Sequence, residues 1–150
     1  MAPSTRSVQI YIKSNGNAFH KLWKSNPQQV PSLTPTNIHK CQINEGDAGN
    51  VGCILLWNYF HDGKECVIKT ITQDIDEGKN SVTFKGLEGD LMEFYKTFVA
   101  HVQVDNHGPD SIVTWTVEYE KLDPNAPDLD TLMEFYKKVT KDIETHHLQN

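Results

Sequence analysis

Apolar residues near the end of the chain recur with the period of a helix. Between positions 128 and 147 they follow one another at steps of three and four, which places them on one side of a helix. The residues of this stripe are Leu129, Leu132, Met133, Tyr136, Val139 and Ile143. Pro127 stands just before the segment, where its missing N–H costs no helical hydrogen bond. The pattern predicts a helix over 128–147, roughly 30 Å long, whose stripe needs a sheet to cover it.

Most of the preceding chain shows the period of two that is typical of half-buried strands. The first strand is predicted over 7–13, and a short amphipathic helix follows over 17–24. Asn26-Pro27 can begin a second short helix, with asparagine as the cap and proline in the first position. The prolines that come next prevent this helix from growing.

From position 37 onward, the pattern predicts six more strands that are separated by short turns. The predicted ranges are 37–44, 51–60, 65–74, 80–87, 95–105 and 111–120. The turns contain Asp62-Gly63, Glu77-Gly78, Gly89-Asp90 and the segment 106–109. Because short turns join antiparallel neighbours, the sequence predicts an α+β fold with seven antiparallel strands, two short helices after the first strand and one long C-terminal helix.

One hexapeptide, Leu-Met-Glu-Phe-Tyr-Lys, occurs twice, at positions 91–96 and 132–137. Identical short sequences can adopt different structures, since tertiary context overrides local propensity. We predict that the second copy is part of the long helix. We expect the first copy to lead into a strand after the Gly89-Asp90 turn.

Charge and composition narrow the classes of function. The net charge is −6, and an acidic surface repels phosphate backbones, so we expect no nucleic-acid partner.

No apolar run approaches the roughly 20 residues of a membrane span. The first six residues contain no apolar leader, and Ala2 excludes N-myristoylation. Cys41, Cys53 and Cys66 are an odd set without a CxxC pair, which favours free thiols and a cytoplasmic location.

The sequence contains no common catalytic signature such as a GxSxG elbow, a P-loop or an HExxH helix. Among the seven histidines only His146 and His147 are adjacent, and neighbours on a helix point roughly 100° apart. We therefore expect no metal site and no cofactor. The local motif that stands out has glycines at three-residue spacing, at Gly46, Gly49 and Gly52. This motif is either a flexible joint between two strands or a loop that contacts an anion or a ligand.

The segment 45–59 resembles the glycine-rich loop and following strand of the major latex proteins. It begins with this glycine motif and ends in Leu55-Leu56-Trp57-Asn58-Tyr59. This MLP-like, ripening-related group belongs to the Bet v 1 (PR-10) superfamily of plant pathogenesis-related proteins. Further matching segments are Glu88-Gly89-Asp90, Tyr95-Lys96, residues 115–121 and the helix end near 146–148.

The resemblance implies one helix-grip domain over 1–150, in which a curved seven-stranded antiparallel sheet encloses a hydrophobic cavity with the last helix. It also implies a non-catalytic intracellular carrier of steroids, triterpenoids, flavonoids, hormones or fatty acids that is linked to defence and stress. The alternatives are an enzyme of specialised metabolism and a receptor-like module whose loops close on a ligand. The related norcoclaurine synthases use a lysine in the last strand, where this chain has Thr114. Ribonuclease activity has been attributed to pathogenesis-related relatives, and the acidic charge of this chain argues against it here.

We expect the cavity to be lined from the short helices, the strands and the long helix, and to hold a hydrophobic small molecule. The expected lining residues are Phe19, Leu22, Trp23, Trp57, Tyr59, Phe84, Phe98, Val102, Trp115, Val117, Met133, Tyr136 and Val139. Several are aromatic residues with a polar tip, and buried tryptophan and tyrosine usually need a hydrogen-bond partner from a ligand, the backbone or water. A register shift of one residue would exchange the two faces of a strand. We expect a monomer or a weak dimer.

Overall fold

The computed structural model describes residues 3–148, and its strands form one antiparallel sheet. The strands are β1 (Ser4–Ile12), β2 (Ile38–Glu45), β3 (Ile54–His61), β4 (Lys64–Asp76), β5 (Ser81–Gly89), β6 (Tyr95–His107) and β7 (Asp110–Lys121). Their order in the sheet is β1-β7-β6-β5-β4-β3-β2. Strands β2 to β7 are therefore joined as consecutive antiparallel neighbours, and β1 pairs with β7. The predicted α+β fold with seven antiparallel strands is confirmed.

Helical segments follow β1 and end the described chain. After β1 come α1 (Asn17–Ser25), a 3-10 helix (Pro27–Gln29) and α2 (Val30–Leu33), as the sequence predicted. The long helix α3 (Asp130–Ile143) is shorter at both ends than the predicted range of 128–147, and a π-helical turn (Glu144–Leu148) follows it. The carboxylate of Glu144 accepts hydrogen bonds from the Lys13 amide and from Lys141, which ties the end of this helix to the first strand.

The two copies of the repeated hexapeptide have different structures. The second copy lies in α3, as predicted. The first copy does not enter a strand directly, because Asp90–Glu93 forms a 3-10 helix and β6 begins only at Tyr95. The carboxylate of Asp90 accepts a hydrogen bond from the Val67 amide at 2.7 Å, which holds this helical turn against β4.

The core lies between the sheet and α3. On β6 and β7 every second residue is buried, and the buried positions of the two strands form part of the core: Phe98, Ala100, Val102, Val104, Val113, Trp115, Val117 and Tyr119. The helix contributes its apolar stripe, and α1 adds Phe19, Leu22 and Trp23 from the side. Within residues 3–148, no helix has the length and apolar character needed to cross a membrane.

Candidate functional site

An apolar cavity of about 80 Å³ lies between the sheet, α1 and α3. We call it the inner cavity. Its walls come from α1, the six strands β2 to β7, the 3-10 helix Asp90–Glu93 and α3. The lining residues are Trp23, Ile38, Trp57, Tyr59, Ile68, Thr70, Phe84, Leu91, Phe98, Ala100, Trp115, Leu132, Phe135, Tyr136 and Val139. Half or more of these side chains are aromatic, so the inner cavity presents mainly ring faces and edges to its contents.

Trp23 is the centre of an aromatic cluster in the wall of the inner cavity. Its ring meets Trp115 at 85° with 5.0 Å between centroids, and it lies 5.9 Å from Trp57 and 6.3 Å from Phe84. Trp115 in turn stacks on Tyr136 of α3 at 4.4 Å and 11°. Edge-to-face and offset-stacked pairs of this kind add stability beyond their buried area. These contacts connect α1 to the sheet and the sheet to α3.

The polar tips of these aromatic residues divide into two groups. Trp57 Nε1 donates to Thr70 Oγ1 at 3.1 Å, and Trp115 Nε1 donates to Thr140 Oγ1 at 2.9 Å. Trp23 Nε1 and the hydroxyl of Tyr59 are also buried, but they have no hydrogen-bond partner among the described protein groups. A buried donor without a partner costs about 1–3 kcal/mol. Two such donors therefore make this wall costly in the fold as it stands.

Burial also fixes the protonation state of the tyrosines in the wall. It raises the pKa of the Tyr59 and Tyr136 hydroxyls, because the buried phenolate would lose its solvation. Both side chains therefore remain neutral phenols at physiological pH. As neutral phenols they can donate a hydrogen bond to a guest.

A second space of about 170 Å³, the outer cleft, lies beside the inner cavity. Tyr59, Leu91 and Leu132 line both spaces and form the partition between them. The rest of the outer cleft is more polar and includes His61, Asp62, Lys64, Asp90 and Asp128. Three carboxylates and one lysine line the cleft, and Asp128 is paired with Lys121 at 3.2 Å, which leaves a small excess of negative charge. Tyr95 donates to the Pro127 carbonyl at the wall of the cleft, and burial raises its pKa to about 12.

The structure places most of the expected lining residues around the inner cavity. Trp23, Trp57, Tyr59, Phe84, Phe98, Trp115, Tyr136 and Val139 lie in its wall. The other five expected residues are buried in the core but lie outside this lining: Phe19, Leu22, Val102, Val117 and Met133. Alternation along a strand identifies its inner face, but it does not show how far along that face a cavity extends. Val102, for example, pairs with Trp115 on the neighbouring strand and is covered by core residues.

Seven lining residues were not expected from the sequence. They are Ile38, Ile68, Thr70, Leu91, Ala100, Leu132 and Phe135. The sequence could have indicated four of them. The alternation of β4 and β6 places Ile68, Thr70 and Ala100 on the inner face, and the stripe of α3 includes Leu132. Leu91 reaches the cavity only because its segment forms a helical turn. Phe135 lies at the edge of the stripe and packs against Tyr59 at 5.7 Å.

The glycine-rich loop lies away from both spaces. Gly46, Gly49 and Gly52 have φ angles of +77°, +95° and +95°, a region in which residues with a Cβ are strained. None of the three lines the inner cavity or the outer cleft. A Cβ on Gly49 would lie 3.5 Å from Ser25 Oγ, at the end of α1. The backbone conformation of a joint between two strands is therefore sufficient to explain these glycines.

An antiparallel sheet that encloses an apolar cavity with its C-terminal helix defines the class of helix-grip proteins. The chain belongs to the pathogenesis-related protein Bet v 1 family, whose model matches residues 1–150. The resemblance to the major latex proteins is confirmed. MLP-like protein 31 of Arabidopsis thaliana is 41% identical over 143 residues, which cover 94% of this chain and 84% of the relative. MLP-like protein 34 of the same plant is 40% identical over 146 residues, which cover 96% of this chain but 46% of the relative. The chain thus spans about half the length of that second relative.

Solved structures support the same assignment. The crystal structure of ginseng major latex-like protein 151 from Panax ginseng is 43% identical in sequence, with a TM-score of 0.94 over 97% of this chain and 98% of that chain. Truncated norcoclaurine synthase from Thalictrum flavum reaches a TM-score of 0.79 over 99% of this chain and 96% of that chain. At 14% identity, the likeness to the synthase shows the fold alone.

Proposed function

We propose that this protein is a non-catalytic intracellular carrier that takes up small hydrophobic or amphiphilic plant compounds in the inner cavity. The observation that carries the proposal is the apolar, aromatic-walled cavity between the sheet, α1 and α3. Concave apolar sites with a few polar groups are the usual form of small-molecule sites. Membership of the Bet v 1 family adds support, because this fold family binds small hydrophobic ligands.

The size of the cavity determines how a ligand can be taken up. Pockets for small molecules hold roughly 300–1,000 Å³, whereas the inner cavity holds about 80 Å³. A ligand therefore has to separate side chains, and the partition formed by Tyr59, Leu91 and Leu132 is the place where separation gains most space. Displacing it would join the inner cavity to the 170 Å³ of the outer cleft. We expect binding to be accompanied by movement of these three side chains.

The lining of the cavity favours a carrier over an enzyme. The described residues of the wall include no aspartate, glutamate, lysine, arginine or histidine. General acid–base catalysis needs a group whose pKa lies near the working pH, and burial moves the pKa of Tyr59 and Tyr136 away from it. Thr114, which was aligned with the lysine of norcoclaurine synthases, alternates with the buried residues of β7 and lies on the opposite face.

The finer parts of the proposal have indirect support. Free thiols at Cys41, Cys53 and Cys66 suit a reducing compartment such as the cytoplasm. A role in defence or stress follows the family name of the matching model. We also propose that residues 1–150 form one domain and act as a monomer, which light scattering on the purified chain would test.

A neutral fluorescent naphthyl ketone, prodan, tests the binding function. We expect saturable binding with a blue-shifted emission and a rise in the melting temperature as the ligand exceeds its Kd. Ala100→Leu adds carbon atoms to the wall of the inner cavity, and it should weaken binding by about tenfold or more. Val99→Leu places the same side chain on the outer face of the same strand, so it should leave binding unchanged.

The proposal fails if prodan does not bind saturably, or if both variants bind it as the unmodified protein does. Competition with a steroid, a triterpenoid, a flavonoid, a cytokinin and a fatty acid then ranks the ligand classes. A compound that displaces prodan and raises the melting temperature is a candidate for the carried molecule.

A further inference from the structure

Two buried hydrogen-bond donors in the wall of the inner cavity lack a partner. Trp23 Nε1 and the Tyr59 hydroxyl belong to side chains that are each 5% exposed, and no described protein group accepts a hydrogen bond from either. The other two tryptophans of the chain show what a satisfied indole looks like, since each donates to a threonine hydroxyl. The missing acceptors are thus a property of this part of the wall and not of buried tryptophan in general.

Contacts with neighbouring rings only partly replace the missing acceptors. The ring of Trp23 meets Trp115 nearly at right angles, and the ring of Tyr59 is tilted by 60° against Phe135. Hydrogen bonds from N–H to an aromatic face are weak compared with those to oxygen. An oxygen atom brought in by a guest would therefore satisfy these donors better than the protein does.

The charge around the site limits which guests can supply that oxygen. The described lining of the inner cavity contains no charged side chain, and burying an ionised group without a counter-charge is far more costly than burying a neutral one. A carboxylate placed in the outer cleft would be disfavoured as well. There it would meet Asp62 and Asp90, with Lys64 as the opposing cation of the lining, while Asp128 is already paired with Lys121.

From these observations we propose that the inner cavity selects an uncharged molecule that presents a carbonyl, ether or hydroxyl oxygen to Trp23 and Tyr59. The inference rests on the proposed carrier function and narrows its ligand class. Neutral steroid-like or flavonoid-like compounds fit this description, whereas free fatty acids do not. Tyr59 belongs to the partition that a guest displaces, and Trp23 lines the same cavity, so a guest there lies next to both side chains.

Three probes of similar size separate hydrogen bonding from simple apolar burial: methyl naphthyl ketone, ethylnaphthalene and naphthoate. Tyr59→Phe removes only a hydroxyl, so the ratio of ketone affinity to hydrocarbon affinity should fall about tenfold. Tyr119→Phe is the matched control. Tyr119 is buried on β7 but lines neither space, so this change should leave the ratio as it is. Naphthoate should bind the unmodified protein at least about tenfold more weakly than the ketone.

The role of Trp23 can be read from the unmodified protein, which avoids the void that a smaller residue would leave. In an isotope-labelled sample, the ketone should move the indole N–H resonance of Trp23 downfield, and ethylnaphthalene should not. The indole signals of Trp57 and Trp115 serve as internal references, because their donors are already bonded to threonine.

The possible outcomes separate this inference from the carrier function. If the affinity ratio is the same in Tyr59→Phe and the Trp23 resonance responds equally to both neutral probes, the inference is wrong while the carrier function stands. If naphthoate binds as tightly as the ketone, the inference is likewise wrong and the carrier function again stands. If none of the three probes binds saturably, both the inference and the carrier function are contradicted.

Discussion

At the scale of single residues, threonines decide how the aromatic cluster is held. Thr70 on β4 and Thr140 on α3 are both buried and both accept from an indole N–H of the cluster. A valine would fill nearly the same space but could not accept the hydrogen bond. The free energy of unfolding should therefore depend on single oxygen atoms in an otherwise apolar core.

Replacing Thr70 with valine should lower the free energy of unfolding by about 1–3 kcal/mol, because Trp57 Nε1 would be left buried without an acceptor. Urea unfolding followed by tryptophan fluorescence measures the loss. Thr97→Val is the control, since Thr97 is exposed on β6 and the same change there should have little effect. Equal stability of the two variants would mean that the Trp57–Thr70 hydrogen bond contributes nothing.

Two histidines make the stability of the protein depend on pH. Burial lowers the pKa of His20 and of His61 below the ordinary 6.5, although Glu77 near His20 and Asp62 near His61 partly oppose the shift. The unfolded chain therefore binds more protons than the folded chain, and stability is lost as the pH falls below about 6.5 toward the lowered folded values.

Thermal unfolding between pH 7.5 and 5 measures this effect. The melting temperature should decrease across the window below pH 6.5, and the double variant His20→Gln, His61→Asn should show a flatter curve. Steeper acid destabilisation in the double variant than in the unmodified protein would contradict the assignment.

At the scale of secondary structure, the segment before β6 shows why an element can escape prediction. Gly89 has φ +131°, and a Cβ at this position would lie 2.2 Å from the carbonyl oxygen of Val67. The chain thus crosses close to β4, and Asp90 then bonds to the Val67 amide. These two contacts link residues that are far apart in sequence. The local sequence pattern therefore does not predict the 3-10 helix.

A comparison of two glycines tests the importance of this crossing. Gly63→Ala introduces strain from a positive φ but meets no atom within 4 Å, so it should cost about 1 kcal/mol. Gly89→Ala combines a positive φ with a backbone clash, and we expect a loss on the order of 3 kcal/mol. Both values come from denaturant unfolding. If Gly89→Ala proved no worse than Gly63→Ala, the close approach to Val67 would not limit residue choice.

The partition between the two spaces is an element-level feature that can be altered by one substitution. Leu132→Ala shortens the α3 side of the partition and leaves a larger cavity, which should cost about 2–5 kcal/mol of stability. The same change should increase the association rate of prodan, because less side-chain movement is needed for uptake. Lys138→Ala, on the exposed side of α3, should change neither quantity. Association rates are measured by stopped-flow fluorescence. If prodan associated with both variants at the same rate, the partition would not limit uptake.

Periodicity predicted the secondary structure better than it predicted the cavity. The alternation along the strands, the turns between them and the stripe of α3 were sufficient to place seven strands and one long helix, because burial of one face dictates the period. Phe19 and Met133 were assigned to the inner face correctly but do not line the cavity. Whether a buried residue contacts a void or another side chain depends on packing in three dimensions, which no sequence period encodes.

At the scale of the whole molecule, the fold places an apolar inner cavity beside an outer cleft that carries a small excess of negative charge. The sheet and α3 form the inner cavity, while the connections β3–β4 and β7–α3 contribute Asp62 and Asp128 to the outer cleft. The chain as a whole is also acidic, with a net charge of −6. This arrangement favours neutral guests and disfavours anionic ones, both at a distance and in the outer cleft.

The central claim is that a neutral, mainly apolar guest binds in the inner cavity, and isotope-filtered NMR tests this claim most directly. With unlabelled methyl naphthyl ketone and methyl-labelled protein, we expect intermolecular contacts to Ile38, Ile68, Leu132 and Val139, which line the inner cavity. Contacts confined to exposed apolar residues such as Val51 and Leu122, or no contacts at saturating ketone, would contradict it.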